Sequence, residues 1–341
     1  MRREKGFAVG VILPRGVLGW ASMTLVFMIL PLPLQNDIYY LDILIFFLLW
    51  AAMAGAWNLA GGYGGLFSLG HALFFGVGAY TSSLLFIKLN VSPWLGMLAG
   101  AMAAAVLGAF IGILTLRLKG PYFALATIAF AEVFMVIAVN WESMTQGSRG
   151  INIPFQPGLY NMVFSSKIPY YYIALSLCAL TYLTARWLER SKFGYRLVAV
   201  RGGEAAAQAL GINTVAVKVA ILMISGALTA LVGSLYAQYV AIIEPYHEFS
   251  FALSAQMVLM AMIGGVGTAS GPVLGALIVT LLNMMLRDFL EGAPGGLQAA
   301  IYGMLLVLVV LFIPEGIVPW AKRHWRRLMG RVGRESVIVR S

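Results

Sequence analysis

The stretch Gly61–Tyr80 reads GGYGGLFSLGHALFFGVGAY and holds seven glycines among twenty residues. Glycine destabilises a helix in water by about 1 kcal/mol relative to alanine, so a glycine-rich segment this apolar needs a specific reason. In a membrane, helices associate by close backbone approach over small residues, which glycine permits. The run Gly61–Gly65 is nevertheless too rich in glycine for a regular helix, and it predicts a helix break.

The composition of the whole chain is that of a polytopic membrane protein. Of its 341 residues, 61% are hydrophobic and 11% are charged, whereas a soluble domain has about 25% charged residues. Apolar runs recur along the chain, which predicts an all-α protein with about ten membrane-spanning helices in two related halves. The expected spans are 16–34, 38–60, 66–88, 93–116, 120–139, 168–187, 216–240, 250–264, 271–290 and 296–318.

Lysine and arginine are unevenly distributed between the loops. Threading the chain through the ten spans places nineteen of its 23 basic residues on one side. The four exceptions are Lys88, Arg149, Lys167 and Arg287. The positive-inside rule makes the first side cytoplasmic, so both termini, the loop 188–215 and the basic tail 319–341 are expected inside the cell. The loop 140–167 is expected in the periplasm, and the net charge of +10 indicates topology rather than a nucleic-acid partner.

Residues 1–341 are expected to form a single membrane domain, whose basic N-terminal segment is retained as an anchor rather than cleaved. Small residues recur every four positions in the fourth span and predict a ridge for tight helix packing. The ridge consists of Gly96, Gly100, Ala104, Gly108 and Gly112.

The run Gly264–Thr268, which reads GGVGT, predicts a second helix break in the other half of the chain. Paired interrupted segments are typical of transporters in which the substrate pathway lies between internal repeats. Generic tight packing is the alternative interpretation of each break. The candidate pathway residues are Asn58, Gly64, Ser68, His71, Gly264, Gly265 and Thr268.

Ionisable residues within spans indicate function by default, and His71 and Glu132 are two such residues in this chain. His71, beside small residues, is interpreted as a neutral hydrogen-bonding partner for a neighbouring helix, with a role in the pathway or its gating as the alternative. Glu132 is expected to be partly buried and paired. Cys178 is the single cysteine, which excludes an internal disulfide and a cysteine-cluster metal site, and it is expected to be a small apolar helix residue.

Motifs of catalysis are missing from the sequence. It has no Gly-Lys dipeptide, so no P-loop lysine, and neither an HExxH nor a GxSxG motif. No metal or cofactor is expected in this chain, and few charges in the spans could couple transport to an ion gradient. The energy is therefore expected to come from a partner. An ion-coupled secondary transporter using Glu132 or His71, and a channel or scaffold, remain as alternatives.

The loop 188–215 contains a second candidate site. The run Glu204–Leu210 is a strong helix former, and Gly211 is placed to end the helix. A short helix with small side chains suits a groove in another protein, although it could also rest on lipid headgroups. The candidate coupling residues are Arg201, Glu204, Ala205, Ala206, Ala207, Leu210 and Gly211.

The chain resembles the LivM-type permease subunits of branched-chain amino acid ABC importers. Four blocks in order carry the resemblance: Asn58–Tyr80, Arg117–Val133, Phe193–Asn213 and Gly264–Ile317. It implies a location in the bacterial inner membrane, together with a second, LivH-like permease. It also implies two cytoplasmic ATPase subunits that bind ATP and Mg²⁺, and a periplasmic binding protein that delivers the amino acid.

The resemblance also implies that the helix around Ala206 is the coupling helix that ABC permeases insert into their ATPases. The family pattern there is Glu-Ala-Ala, three residues, then Gly. Glu204 lies one residue too early for the frame that ends at Gly211, which leaves its contact with the ATPase open. The cargo is equally open between leucine, isoleucine or valine and, as in similar permeases, urea or short amides.

Overall fold

The structure is a computed structural model. It describes residues 30–31, 33, 37–115, 118, 120–289, 297, 300–301, 303–304, 316–321 and 323–324. The first and last expected spans, 16–34 and 296–318, and the tail 319–341 lie largely outside the described residues.

Twelve α-helices have both ends within the described residues. They are α1 (Ile38–Asn58), α2 (Ala72–Leu89), α3 (Pro93–Thr115), α4 (Pro121–Asn140), α5 (Glu142–Thr145), α6 (Ile168–Arg190), α7 (Lys192–Gly202), α8 (Glu204–Ala209), α9 (Thr214–Val240), α10 (Pro245–Glu248), α11 (Phe251–Gly264) and α12 (Gly271–Phe289). A π-helical turn, Leu59–Tyr63, extends α1. A two-residue strand β1 (Ile151–Asn152) pairs antiparallel with β2 (Ile242–Ile243).

Six of these helices are long and apolar enough to cross a membrane: α1 with its π turn, α2, α3, α4, α6 and α9. Two further apolar helices, α11 and α12, flank the second glycine break. The expectation of an all-α, polytopic membrane protein with helices interrupted at glycine-rich segments is confirmed. The expected start of the third span at residue 66 is wrong, because the chain stays non-helical until α2 begins at Ala72.

Local sequence signals set several helix ends. The side chains of Ser191, Asn213 and Ser250 accept hydrogen bonds from backbone N–H groups in the first turns of α7, α9 and α11. These caps satisfy donors that have no partner within the helix. Pro93 and Pro121 occupy the first positions of α3 and α4, where the missing N–H costs nothing.

The longest helix, α9, forms the centre of the bundle. It packs against α3, α2 and α1, while α6, α11 and α12 pack on α1. Large side chains such as Trp57, Phe74 and Phe75 are buried between these helices. We call the end of the bundle that carries α7 and α8 the basic end, and the opposite end, with β1 and β2, the acidic end.

The loop 188–215 is more ordered than the sequence suggests. The helix α7 was not expected, whereas α8 matches the helix expected from residue 204. Gly194, in the first turn of α7, lies against the carbonyl group of Leu188; a Cβ at this position would overlap the carbonyl oxygen. The bend between α6 and α7 therefore needs a glycine, and it directs α7 back toward the bundle.

The environment of His247, at the acidic end, predicts that the stability of the folded protein depends on pH. Its Nδ1 lies 2.6 Å from Oε2 of Glu248, and its ring stacks on Tyr236. The hydrogen bond to Glu248 raises the pKa of His247, with Glu244 adding to the effect, and burial raises the pKa of Glu248. With both pKa values raised, the folded protein binds more protons than the unfolded chain does, so stability falls as pH rises.

For His247, the stabilisation is complete below its unfolded pKa of about 6.5 and is lost as pH rises through the higher folded value. The thermal midpoint in detergent is therefore expected to fall between about pH 6 and pH 8, and His247→Gln should flatten that fall. An equal pH dependence in the variant would contradict this assignment.

Candidate functional site

At the first break, helical structure ends after the π turn, at Tyr63, and resumes at Ala72. Polar backbone groups between helices must find partners inside the protein when water is excluded. Side chains supply them here: Trp57 Nε1 donates to the carbonyl of Ser68 at 2.7 Å, and the N–H of Leu69 donates to Thr127 Oγ1 at 3.1 Å. The N–H of Ala72 donates to Ser254 Oγ at 2.8 Å. The break is therefore a fixed part of the fold, held by three other helices or segments.

Asn58 joins the two breaks directly. Its Nδ2 donates to the carbonyl of Thr268 at 3.0 Å, and its Oδ1 accepts from the N–H of Gly267 at 2.8 Å. The Asn58 side chain is fully buried. Gly62 lies against the same point, because a Cβ on it would be 2.6 Å from the Gly267 nitrogen. We call this contact of Asn58 and Gly62 with Gly267 and Thr268 the crossing.

Arg201, near the end of α7, reaches the crossing from the basic end. Its guanidinium donates to the carbonyl of Gly62. The same group lies beside Gly267, whose Cβ position would be 3.1 Å from Arg201 Nη1. Both breaks therefore touch one side chain of the loop 188–215.

His71 is held between two serines. Its Nδ1 lies 3.0 Å from Ser68 Oγ, and its Nε2 lies 2.8 Å from Ser225 Oγ. Ser225 Oγ donates its proton to the carbonyl of Ala56 at 2.6 Å. It must therefore accept from the imidazole Nε2–H, which fits a neutral ring whose Nδ1 accepts from Ser68. This geometry favours the interpretation of His71 as a hydrogen-bonding link between helices.

The structure brings the seven candidate pathway residues together around the two breaks. Six of them are buried, and Thr268 is half-buried. Thr268 Oγ1 donates to the carbonyl of Gly265 at 2.8 Å and accepts from the N–H of Gly271 at 3.1 Å. Gly64 and Gly264 are tight backbone contacts, since a Cβ on either would overlap a neighbouring carbonyl oxygen. These contacts hold the two breaks in place.

The seven candidate coupling residues divide into two groups. Ala205, Ala206, Leu210 and Gly211 are exposed, and Leu210 has 79% of its surface accessible. The other three make internal contacts: Ala207 is buried, Arg201 reaches the crossing, and Glu204 forms an ion pair with Lys218 of α9. The exposed face of α8 is thus small and apolar, and Glu204 is engaged within the chain.

A groove of about 640 Å³ separates α8 from the first break. Its lining includes Gly65 and Phe67 of the first break, Phe123 of α4, Ala206 of α8 and Lys218 of α9. The helix α8 is therefore close to the break but not packed tightly on it. A Cβ on Gly65, in the wall of this groove, would lie 3.1 Å from Arg201 Cγ.

The predicted ridge of small residues faces the bundle. All five of its members are buried, and the outward side of α3 is exposed. A Cβ on Gly100 would lie 3.1 Å from the Cα of Gly78 in α2, and one on Gly108 would lie 3.1 Å from the Leu222 carbonyl oxygen in α9. The helix α3 therefore lies in backbone contact with α2 and α9.

A second groove, of about 680 Å³, opens between α1, α11 and α12 toward the acidic end. Its lining includes Asp42, Gln256 and Asn283 among apolar side chains. The carboxylate of Asp42 is paired with Lys167 and accepts from Tyr239. Sequence reasoning missed this pair, although an acidic residue within an expected span was a usable signal.

The expectation that Glu132 is partly buried and paired is wrong. Its side chain is exposed on α4, and it makes no hydrogen bond or ion pair within the part of the chain that the structure describes. The helix α4 carries it on the face that points away from the bundle. Within the same described residues, no group of three or more histidine, cysteine or acidic side chains could hold a metal ion.

Six apolar helices of membrane-spanning length, with two interrupted segments in contact, are the architecture typical of a membrane transporter. Residues 39–312 match the family described as branched-chain amino acid transport system / permease component. This match covers most of the chain, which therefore belongs to that family.

Curated relatives agree with the family. The chain is 27% identical to the high-affinity branched-chain amino acid transport system permease protein LivM of Salmonella typhimurium, over 82% of this chain and 70% of that protein. It is 25% identical to LivH of the same organism, over 79% of this chain and 91% of LivH. It is 27% identical to the nucleoside ABC transporter permease protein NupC of Lactococcus lactis, over 76% and 87%. No solved structure matched the chain.

Proposed function

We propose that the chain is one membrane subunit of an ATP-driven importer for branched-chain amino acids. Family membership and the similarity to LivM and LivH support this cargo. The subunit itself carries no catalysis in this proposal. ATP and Mg²⁺ are bound by two separate ATPase subunits, and a second, LivH-like permease completes the conduit.

The proposed orientation follows the basic residues. The basic end, with α7 and α8, faces the cytoplasm of a bacterial inner membrane together with both termini. The acidic end, with the loop 140–167, faces the periplasm, where a binding protein delivers the amino acid. The exposed face of α8 then lies on the side where ATPase subunits are found.

One observation carries the proposal: Arg201 connects the segment around α8 with the crossing of the two breaks. An importer driven from inside the cell needs a contact that transmits movement of its loop to the membrane-embedded part. The exposed face of α8 can insert into a groove of an ATPase subunit; this face consists of Ala205, Ala206, Leu210 and Gly211. Arg201 passes a displacement of that face to Gly62 and Gly267.

Uptake by the reconstituted complex tests the proposed function. Vesicles that contain both permeases and the ATPase subunits are supplied with the binding protein on the side of the acidic end. They are expected to accumulate radiolabelled leucine only when ATP is present on the side of the basic end. Unlabelled isoleucine and valine should compete, whereas urea and acetamide should not. Uptake driven by a proton gradient without ATPase subunits, or competition by urea alone, would overturn the proposal.

A variant within the same assay tests the role of α8. Leu210→Asp places a charge on the exposed apolar face and is expected to lower ATP-dependent uptake at least tenfold, because a buried charge in the ATPase groove weakens docking. Val198→Asp, which changes an equally apolar exposed residue on α7, is the matched control. Equal effects of the two variants would place the docking face elsewhere.

A further inference from the structure

The helix α4 is the most thinly packed of the six long apolar helices that the structure describes. Of the 18 consecutive residues that make up its most apolar part, only 28% are buried, compared with 72% for α1 with its π turn. Phe123, Ala124 and Thr127 are among the few residues that face the bundle. Seven of its nine exposed positions recur at helical spacing and form one stripe, which we call the Glu132 stripe. It consists of Tyr122, Leu125, Ala129, Glu132, Val133, Val136 and Asn140.

Glu132 lies near the middle of the membrane thickness. It is the twelfth of the 20 residues of α4, which places it about 17 Å along a helix about 30 Å long. A charged side chain at this depth costs roughly 2.5–3.5 kcal/mol when it faces lipid. Such residues face protein or a water-filled cavity instead. Lipid is therefore a poor neighbour for this stripe.

The exposed side of α3 has the composition expected of a lipid-facing stripe, because it carries no ionisable residue. Its large exposed residues are all apolar, and they include Leu98, Met102, Val106 and Ile113. Both stripes run the length of an apolar span and leave comparable side chains uncovered. They differ in the carboxylate at the centre of α4. The two exposed faces therefore differ in the neighbour that each can accept at low cost.

We propose that the Glu132 stripe is the surface that packs against the second permease subunit, and that Glu132 accepts a hydrogen bond from a donor or cation of that subunit within the membrane. This inference rests on the proposed function, because it needs a second permease. The branched-chain transport system named by the relatives has two permease proteins, LivM and LivH, and this chain is similar to both. Glu132 supplies the charge that such a partner must complement.

Spin labels can separate the possible neighbours of the stripe. The single cysteine, Cys178, is buried, so Cys178→Ala provides a cysteine-free background. A nitroxide is attached to a cysteine introduced by Val133→Cys or, as the matched control on α3, by Val106→Cys. Collisions with oxygen, which dissolves in lipid, and with a polar nickel chelate, which stays in water, are then measured in the chain alone and in the complex with both permeases.

When the second permease is present, the oxygen accessibility of the label at position 133 is expected to fall about five-fold or more. Its accessibility to the nickel chelate should not increase. The label at position 106 should keep its oxygen accessibility in both states. Unchanged oxygen accessibility at 133 in an assembled complex would show that lipid covers the stripe, and nickel access would show a water-filled pathway. Spin–spin broadening from a second copy of this chain would also overturn the proposal.

Substitutions of Glu132 give an independent readout. Glu132→Leu would be harmless on a lipid-facing surface, but at the proposed interface it leaves the partner's donor unpaired. The amount of second permease that co-purifies is expected to fall at least tenfold, whereas Glu132→Gln should retain most of it. Full co-purification with the leucine variant would overturn the inference. If no second permease binds even the unchanged chain, the proposed function itself fails.

Discussion

Gly233→Val is expected to abolish the folded bundle. Gly233 of α9 lies so close to α2 that a Cβ would overlap the carbonyl oxygen of Phe75, and Gly78 of α2 meets Ala230 of α9 in the same way. Ser234 Oγ donates to the Gly78 carbonyl at 2.9 Å, which holds the two backbones together. A larger side chain must separate the two helix backbones, and overpacking of this kind typically costs about 1–3 kcal/mol, with higher values where backbone must move. Size-exclusion chromatography should show loss of the monodisperse protein.

A matched glycine shows whether the effect comes from the contact or from glycine as such. Gly202 lies in α7, and a Cβ there would meet nothing within 4 Å. Gly202→Ala is expected to leave the thermal midpoint unchanged or to raise it slightly, because alanine favours a helix by about 1 kcal/mol. A loss of folded protein in Gly202→Ala as large as that in Gly233→Val would contradict the assigned helix contact.

Much of the fold could be predicted because it depends on local composition. Apolar runs located the helices α3, α4, α6 and α9 to within a few residues, since membrane spans need continuous hydrophobicity. The period of four in the ridge from Gly96 to Gly112 identified the side of α3 that faces the bundle. Both glycine breaks were recognised from their composition as well.

The course of the chain within the breaks could not be predicted, because it depends on distant partners. Asn58 meets Gly267 and Thr268 across more than 200 residues of sequence. Local propensity contains no information about such pairs, so the length of the first break was underestimated. Glu132 shows the converse problem, since the sequence did not reveal that α4 carries it on an exposed face.

Arg201→Ala is expected to separate ATP hydrolysis from transport. Arg201 extends from α7 to Gly62 and lies beside Gly267, so its loss disconnects the loop 188–215 from the crossing. The exposed face of α8 stays intact, and the complex should still assemble and hydrolyse ATP. Leucine uptake per ATP hydrolysed is expected to fall at least tenfold. The measurement is uptake and phosphate release in the same vesicles.

Arg196→Ala is the matched control, because Arg196 is an exposed arginine on the same helix. Its uptake per ATP should equal that of the unchanged chain, since positive charge on α7 is not what transmits the movement. Arg201→Lys should recover only part of the coupling, because a lysine has one donor group at the end of a flexible stem, whereas a guanidinium presents a rigid, planar set of donors. If Arg201→Ala lowered hydrolysis and uptake in equal proportion, Arg201 would serve assembly of the complex, and movement would reach the two breaks by another route.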